Sequence, residues 1–477
     1  MKKVLIVVFA LLLALPAVSF AGSATSRWDL TIGGYVKVDV GWTSQAAGTP
    51  AAGLEEYFPD RPDGVNQNVA NQSGSFAAAA GQTSLNFLVK GPDTWGAKTT
   101  AFVQGNFVGQ STNAGNTGTR YGTFTLLNAY MDFTWPTTKL IVGQNWQSWG
   151  FQPTWNAFGL YDLLMAGRGF VVPQITVVQN FSKDFYGSVG IQEPYRSTDQ
   201  LAGSANLGLS NPANTLSSNA AAGTGGGIIP GVETTRVSTQ IPDFTAEFGY
   251  KSESCGKIGP NVMQLAVGGF WGQDTVIYAD TTTKGAYNTA HVDRWGGAFH
   301  GFIPIIPEKN LNKAGSLAVS GSIWTGQNLA NWFLGARGID SLVPYSQSYV
   351  NGVATFKVPV SAGGWGQLTY YFTDKVSVNG IYSYNRNAVS NAYQTAYPNQ
   401  YKQWQQIIGN VVYDVNPAVR VGAEYTLTNG TFDRYGLGTG GSVAPFSEQL
   451  GGYTNYAGYL GDHAQCQQIR ATFWYFF

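Results

Sequence analysis

The chain offers little for covalent or acid–base chemistry: three histidines, two cysteines and 27 acidic side chains in 477 residues. His291, His300 and His463 stand apart, and no Gly-x-Ser-x-Gly elbow accompanies them. Nucleophilic catalysis needs a hydroxyl or thiol activated by a neighbouring base, and general acid–base work most often uses His. His300 reads instead as a wall histidine with a satisfied ring. No His or Cys pair has metal-ligand spacing, and the Cys-x-x-Cys-His attachment of haem is missing. The expectation is a chain that is not an enzyme, with no catalytic residues, no metal and no cofactor of its own. What remains is electrostatic chemistry. Lys37, Lys90, Lys98, Lys251, Arg294, Arg420 and Arg470, with Asp39, Asp132, Glu247 and Glu424, all fall on the polar side of alternating segments. Seven basic against four acidic groups would tilt a water-filled passage modestly toward anions.

The elements that must hold those charges are strands. Side chains of an extended chain alternate faces with period 2. From Trp28 to Thr43, Leu30, Ile32, Val36, Val38, Val40 and Trp42 share one face, and Thr31, Tyr35, Lys37 and Asp39 the other. The same pattern sets Leu85, Phe87 and Val89 against Ser84, Asn86 and Lys90, and Ala129, Met131 and Phe133 against Asn128, Tyr130 and Asp132. It recurs at 244–251, 367–372 and 419–425. At the C-terminus Ile469, Ala471, Phe473, Tyr475 and Phe477 oppose Gln468, Arg470 and Thr472. A chain that stops on such a strand, with a terminal Phe, reads as a transmembrane β-barrel of a bacterial outer membrane. Phe473, Tyr475 and Phe477 are then the signal read by the barrel-insertion machinery.

The N-terminus and the composition agree. Lys2 and Lys3 precede an apolar run from Val4 to Leu15, then Pro16 and small residues to Ala21, the pattern of a secretory signal peptide over 1–21. Residues 22–477 form a single barrel domain with 25 basic and 27 acidic side chains, a balance that points to no nucleic-acid partner. After the signal no stretch approaches the ~18–20 apolar residues of a membrane helix. Charged residues are 11 % against about 25 % in soluble domains, and aromatics reach 14 %, as a lipid-facing barrel wall with aromatic girdles requires.

Seven short and eight long connections alternate along the chain, which gives sixteen strands: an all-β, antiparallel, transmembrane barrel with short periplasmic turns and long external loops. The expected long loops include Ser44–Gln82, Trp146–Val172 and Gln273–Asp293, and the short turns include Ser252–Pro260. The third long loop carries Trp146, Trp149, Phe151, Trp155, Phe158 and Leu160, too apolar for an exposed loop. Either it folds into the barrel, with a short helix near 161–166 and Trp155, Tyr161, Asp162 and Arg168 at the pore constriction, or its aromatics pack against the inner wall or a neighbouring subunit and its charges face bulk water. Cys255 falls in a short turn and Cys466 at the external end of the last strand, a membrane's thickness apart, so no disulfide is expected between them.

Several segments in succession resemble the DcaP-like trimeric outer-membrane porins. They are Gly33-Gly34-Tyr35-Val36-Lys37-Val38-Asp39, Gly91-Pro92-Asp93 with Trp95-Gly96, Val142-Gly143-Gln144-Asn145-Trp146, Pro173-Gln174-Ile175 and Ile241-Pro242-Asp243. Thr176 stands where such porins often carry Arg. The resemblance implies a sixteen-stranded homotrimer in outer-membrane lipid, passing small-molecule solutes that are often anionic. The expected function is a water-filled channel for passive diffusion of small hydrophilic solutes, anionic ones included. The alternative reading is the barrel sheath of a porin–cytochrome electron conduit.

Overall fold

The computed structural model describes residues 28–44, 74–109, 123–150, 156–159, 171–194, 234–239, 241–279, 287–327, 329, 345–350, 353–388, 401–432 and 463–477. These residues form strands and turns. The first part of the wall is β1 (Asp29–Thr43), β2 (Ser75–Ala79), β3 (Ser84–Lys90), β4 (Lys98–Gly109), β5 (Thr123–Thr134), β6 (Thr138–Trp146), β7 (Val171–Asn180) and β8 (Phe185–Gln192). It continues with β9 (Thr234–Thr239), β10 (Asp243–Ile258), β11 (Asn261–Ala279), β12 (Tyr287–Ile306) and β13 (Leu317–Gln327). A separate hairpin of β14 (Tyr345–Val350) and β15 (Val353–Lys357) precedes β16 (Val360–Tyr371), β17 (Val376–Ala388), β18 (Tyr401–Asn416), β19 (Val419–Phe432) and β20 (His463–Phe476).

Each wall strand pairs antiparallel with its neighbours, and β20 pairs back onto β1 from Tyr35↔Phe476 to Thr43↔Gln468. The sheet is therefore closed. It counts sixteen strands because β2 and β3 occupy one position beside β1, and β9 and β10 occupy one position beside β11. Closure satisfies every ladder hydrogen bond without an edge, which is the condition for standing in lipid. The carboxy-terminal residue completes the seam: the Gly34 N–H donates to the Phe477 carbonyl at 3.1 Å, and the Phe477 N–H to the Gly34 carbonyl at 3.2 Å. Gly34 has φ +151°, and a Cβ there would lie 2.2 Å from the Ser84 carbonyl oxygen, so only glycine fits this approach.

The alternation read from the sequence fixes the two faces. Val36, Val38, Trp42, Ile469, Phe473, Tyr475 and Phe477 are exposed on the outer surface, while Lys37, Asp39, Arg470 and Thr472 are buried inside. At the end with the short turns, Trp95, Phe181, Phe185, Phe372, Tyr475 and Phe477 are all exposed, an aromatic girdle at one rim. Trp95 stacks on Phe133 at 5.7 Å and lends its carbonyl to the Trp135 indole N–H at 3.1 Å. Trp95 and Gly96 both have positive φ, 53° and 75°, which turns the chain between β3 and β4. Cys255 is exposed and Cys466 is buried, and the two form no disulfide.

Three connections differ from the sequence expectation. The loop expected over Ser44–Gln82 contains β2, whose Ser-Phe-Ala-Ala-Ala offers almost no polar contrast between faces. The loop expected over Gln273–Asp293 is mostly strand, because β11 and β12 run to Ala279 and from Tyr287. The inward residues there include Val276 and Val292, both buried, so the polar-inside rule fails where the interior is packed rather than wet. The turn expected over Ser252–Pro260 is shorter, since β10 continues to Ile258 through a register shift between Ser252 and Lys257.

Candidate functional site: the lumen wall and the segments held against it

Two pieces of the third long connection are described, 147–150 and 156–159, and they lie against opposite parts of the inner wall. At the first, the Ser148 hydroxyl meets that of Thr245 on β10 at 2.6 Å, and the Gly150 N–H donates to Glu247 Oε2 at 2.9 Å. The Trp149 indole is buried against Phe270 of β11, ring centroids 5.3 Å apart. At the second, the Asn156 N–H donates to Gln367 Oε1 at 3.0 Å, and its side-chain amide to Asn379 Oδ1 at 2.9 Å. Asn410 donates to the Asn156 carbonyl at 2.8 Å. One described piece is thus held on β10 and β11, the other on β16, β17 and β18. Trp155, Tyr161, Asp162 and Arg168, expected at the constriction, lie outside the described residues, as does the helix expected at 161–166.

Phe158 is the far bolt. Glu424 Oε2 accepts its N–H at 2.9 Å, and the Lys37 ammonium donates to its carbonyl. Its ring stands edge-on to Trp474 at 5.1 Å, over the space beside Gly422, where a Cβ would meet the ring at 2.3 Å. Lys37 also reaches Gln82, lies 3.4 Å from Asp39, and sits 5.4 Å above the Trp474 ring. Asp39 in turn accepts from the Thr472 hydroxyl at 2.6 Å. Glu424 faces Arg470 in register across β19 and β20 and accepts from the Asn410 amide at 2.9 Å. Arg470 donates to Gln468 at 3.0 Å. Lys37, Asp39, Glu424 and Arg470 therefore form one buried patch, in which Glu424 and Lys37 hold the backbone N–H and carbonyl of Phe158, and not four separate charges in water.

Glu247 is the near bolt. Besides Gly150 it takes the Tyr186 hydroxyl at 3.1 Å and His300 Nε2 at 3.1 Å. His300 is a wall histidine held by a carboxylate. Farther along, the Arg294 guanidinium is wholly buried between Asp243 at 2.7 Å and Asp274 at 2.9 Å. Burying one cation is tolerable when two carboxylates replace its water, and the triad ties β10, β11 and β12 together. Asp132 pairs with Lys139 at 2.8 Å across the β5–β6 hairpin, and Arg420 pairs with Asp414 beneath the Phe476 ring. Lys98 and Lys251 are exposed near the short-turn rim, on the inward register of their strands.

Sequence reasoning missed the partners: Asp243, Asp274, Asp414, Lys139 and Gln82. Two of them left a local signal: a turn at 135–137 sets Lys139 beside Thr134 and within reach of Asp132, and the β18–β19 turn sets Asp414 opposite Arg420. With these included, the named inward charges number eight basic and seven acidic, and most are neutralised pairwise. Among the described residues no group of three His, Cys, Asp or Glu side chains is placed to hold a metal ion.

The closed wall matches solved structures. The outer membrane channel DcaP of Acinetobacter baumannii aligns with 94 % of this chain and 97 % of its own, at TM-score 0.58 and 12 % identity. This is the porin fold. The anion-selective porin from Comamonas acidovorans aligns over 94 % of this chain and 100 % of its own at TM-score 0.47 and 9 % identity. Pseudomonas putida OprB aligns over 94 % of each at TM-score 0.44 and 10 % identity. No protein-family model matches the chain, and no curated protein matches it. The porin fold explains the division of labour found above: apolar side chains outside and hydrogen-bonded polar side chains inside.

Proposed function

We propose that the protein is an outer-membrane porin, a passive diffusion channel for small hydrophilic solutes. Residues 1–21 serve as its export signal, the short-turn rim faces the periplasm, and Phe473, Tyr475 and Phe477 are read by the insertion machinery. The observation that carries the reading is the pair of holds on the third connection: Glu247 takes Gly150, and Glu424 with Lys37 takes Phe158. We read the connection between them as a strap that narrows a polar-walled barrel. A strap of this kind is what a size filter needs, and it stands where a sheathed cytochrome would have to pass. The near balance of inward charge supports weak ion selectivity. Asp162 and Arg168, with Tyr161 and Trp155, set the field at the narrowest section, where low-dielectric walls focus it. The assembly is a homotrimer, by resemblance to trimeric porins.

Planar-bilayer recording tests this directly. The purified protein is expected to insert in steps of ohmic conductance and to show a small reversal potential in a KCl gradient. Arg168→Ala shifts that potential toward cations more than Lys98→Ala does. Absence of conductance, or recovery of the protein as a freely dissolved periplasmic chain, refutes the reading. Migration of the unheated protein at three times the monomer mass tests the trimer.

A further inference from the structure

The inward side chains are not equally covered around the wall. On β13, β16, β17 and β18 they are packed away: Ser322, Gln367, Asn379, Ile381, Gln406 and Ile408 are between 1 and 4 % exposed. On β3 to β6 the inward positions farther from the short turns, Ser84, Asn106 and Asn128, are buried too, and so is Asp132, but most of those nearer the short-turn rim are open. Leu88, Phe102, Tyr130 and Lys139 are half-buried, and Lys90 and Lys98 are exposed. A solute in a partly filled barrel moves where side chains still touch solvent, so the free path toward the short-turn rim runs along β3 to β6.

That sector has a definite chemistry, arranged in rungs by the strand register. Leu88, Phe102 and Tyr130 are successive partners across β3, β4 and β5, and the Phe102 and Tyr130 rings lie 5.6 Å apart. The rung continues on β6 to Gly143, with φ +129°, where a Cβ would come within 2.7 Å of the Tyr130 Cα. Two residues toward the short-turn rim, about 7 Å along the strands, lie Lys90, Thr100 and Asp132, and beyond them Lys98, Thr134 and Lys139. Three lysines face Asp132 and Asp29 in this lane, so it is net cationic by one charge although the wall as a whole is nearly balanced. An apolar, partly aromatic rung beside a lysine-bearing rung is complementary to a solute with a ring at one end and an anion at the other.

We infer that the β3–β6 wall is the conducting lane and that it favours small aromatic monocarboxylates, the ring against Phe102 and Tyr130 and the carboxylate against Lys139. This deepens the porin reading and rests on it. Lys139 is 38 % exposed and can turn from Asp132 to a passing carboxylate, while Asp132 repels it and keeps it from stopping. Facing ring pairs gain modestly over bare area, enough for a permeability preference and too little for capture.

The test uses the full chain in planar bilayers under bi-ionic conditions, with sodium benzoate, sodium chloride and benzylammonium chloride as probes. The wild type passes benzoate more readily than benzylammonium. The double substitution Phe102→Ser with Tyr130→Ser lowers the benzoate-to-chloride permeability ratio about 2- to 10-fold, and Lys139→Gln reduces the preference over benzylammonium. Gln406→Ser, in the covered sector, changes neither. In a Cys255→Ser background, Thr100→Cys is blocked by an anionic methanethiosulfonate and Ser383→Cys is protected. Normal chloride conductance with unchanged ratios, or reaction at Ser383→Cys and protection at Thr100→Cys, overturns the lane alone. Loss of conductance to every probe in the wild type overturns the channel reading and the lane with it.

Discussion

Glu424→Ala probes the strap where its hold is best defined. The substitution removes the acceptor of two hydrogen bonds at 2.9 Å, from the Phe158 N–H and from the Asn410 amide. Each bond to an ionised acceptor is worth roughly 1.5–3 kcal/mol, so the far bolt loses on the order of 3–6 kcal/mol if the terms add. Arg470, in register with Glu424, also loses its facing carboxylate. The strap is not released outright, because Asn156 keeps its bonds to Gln367 and Asn379, and Lys37 keeps the Phe158 carbonyl. The expected outcome is local loosening around Phe158: higher single-channel conductance and greater open-channel noise in planar bilayers. Glu424→Gln retains an oxygen for the Phe158 N–H and stays near wild type, at a cost of about 1 kcal/mol. Wild-type conductance and noise in Glu424→Ala, with folding confirmed by resistance of the barrel to unheated detergent, would refute the claim that this carboxylate holds a pore-narrowing segment.

Three further outcomes follow from the same contacts. Arg294→Met strands Asp243 and Asp274 without their shared cation and is expected to destabilise the barrel by about 3–5 kcal/mol, read as a lowered temperature of heat-modifiability; Arg294→Lys, with one point charge for two partners, recovers only part of it. Gly143→Ala places a Cβ 2.5 Å from the Ala129 carbonyl in a left-handed backbone and is expected to reduce the yield of assembled barrel far more than Gly380→Ala, where nothing lies within 4 Å. Phe477→Ser keeps both backbone bonds to Gly34, so a slower appearance in the outer membrane with unchanged heat stability would assign the ring to insertion; equal insertion rates count against that role.

Much of the fold was legible because a barrel in lipid must repeat one rule. Every strand presents apolar side chains to hydrocarbon and hydrogen-bonded polar ones to the interior, and period 2 exposes that rule in a linear text. Lys37, Asp39, Arg294, Arg420, Glu424 and Arg470 could be placed inside from parity alone, and seven turns and eight loops could be counted from Gly, Pro, Asn and Asp clusters. The reading weakened where the interior ceases to be wet. Val276 and Val292 face inward yet are buried against other protein, so the strands around them look like loop. Ser75–Ala79 fails for the opposite reason, since small side chains suit either face.

The roles of the charges were not legible, and the cause is distance along the chain. Alternation tells which way Glu247 points but not that Gly150, 97 residues earlier, will lie on it; Phe158 comes from 266 residues before Glu424 and 121 after Lys37. A sum of wall charges treats each as a free agent in water and yields an anionic tilt. Once the strap is in place those charges have become its fasteners, with their fields spent on peptide groups and on each other at 2.7–3.4 Å. Selectivity then belongs to the charges that the strap leaves uncovered, and on the described wall those include Lys90, Lys98, Lys251 and the Asp132–Lys139 and Asp414–Arg420 pairs. A reversal potential that responds to substitution at Lys139 and not at Lys37, once folding is matched, is the expected consequence of this division between fasteners and field.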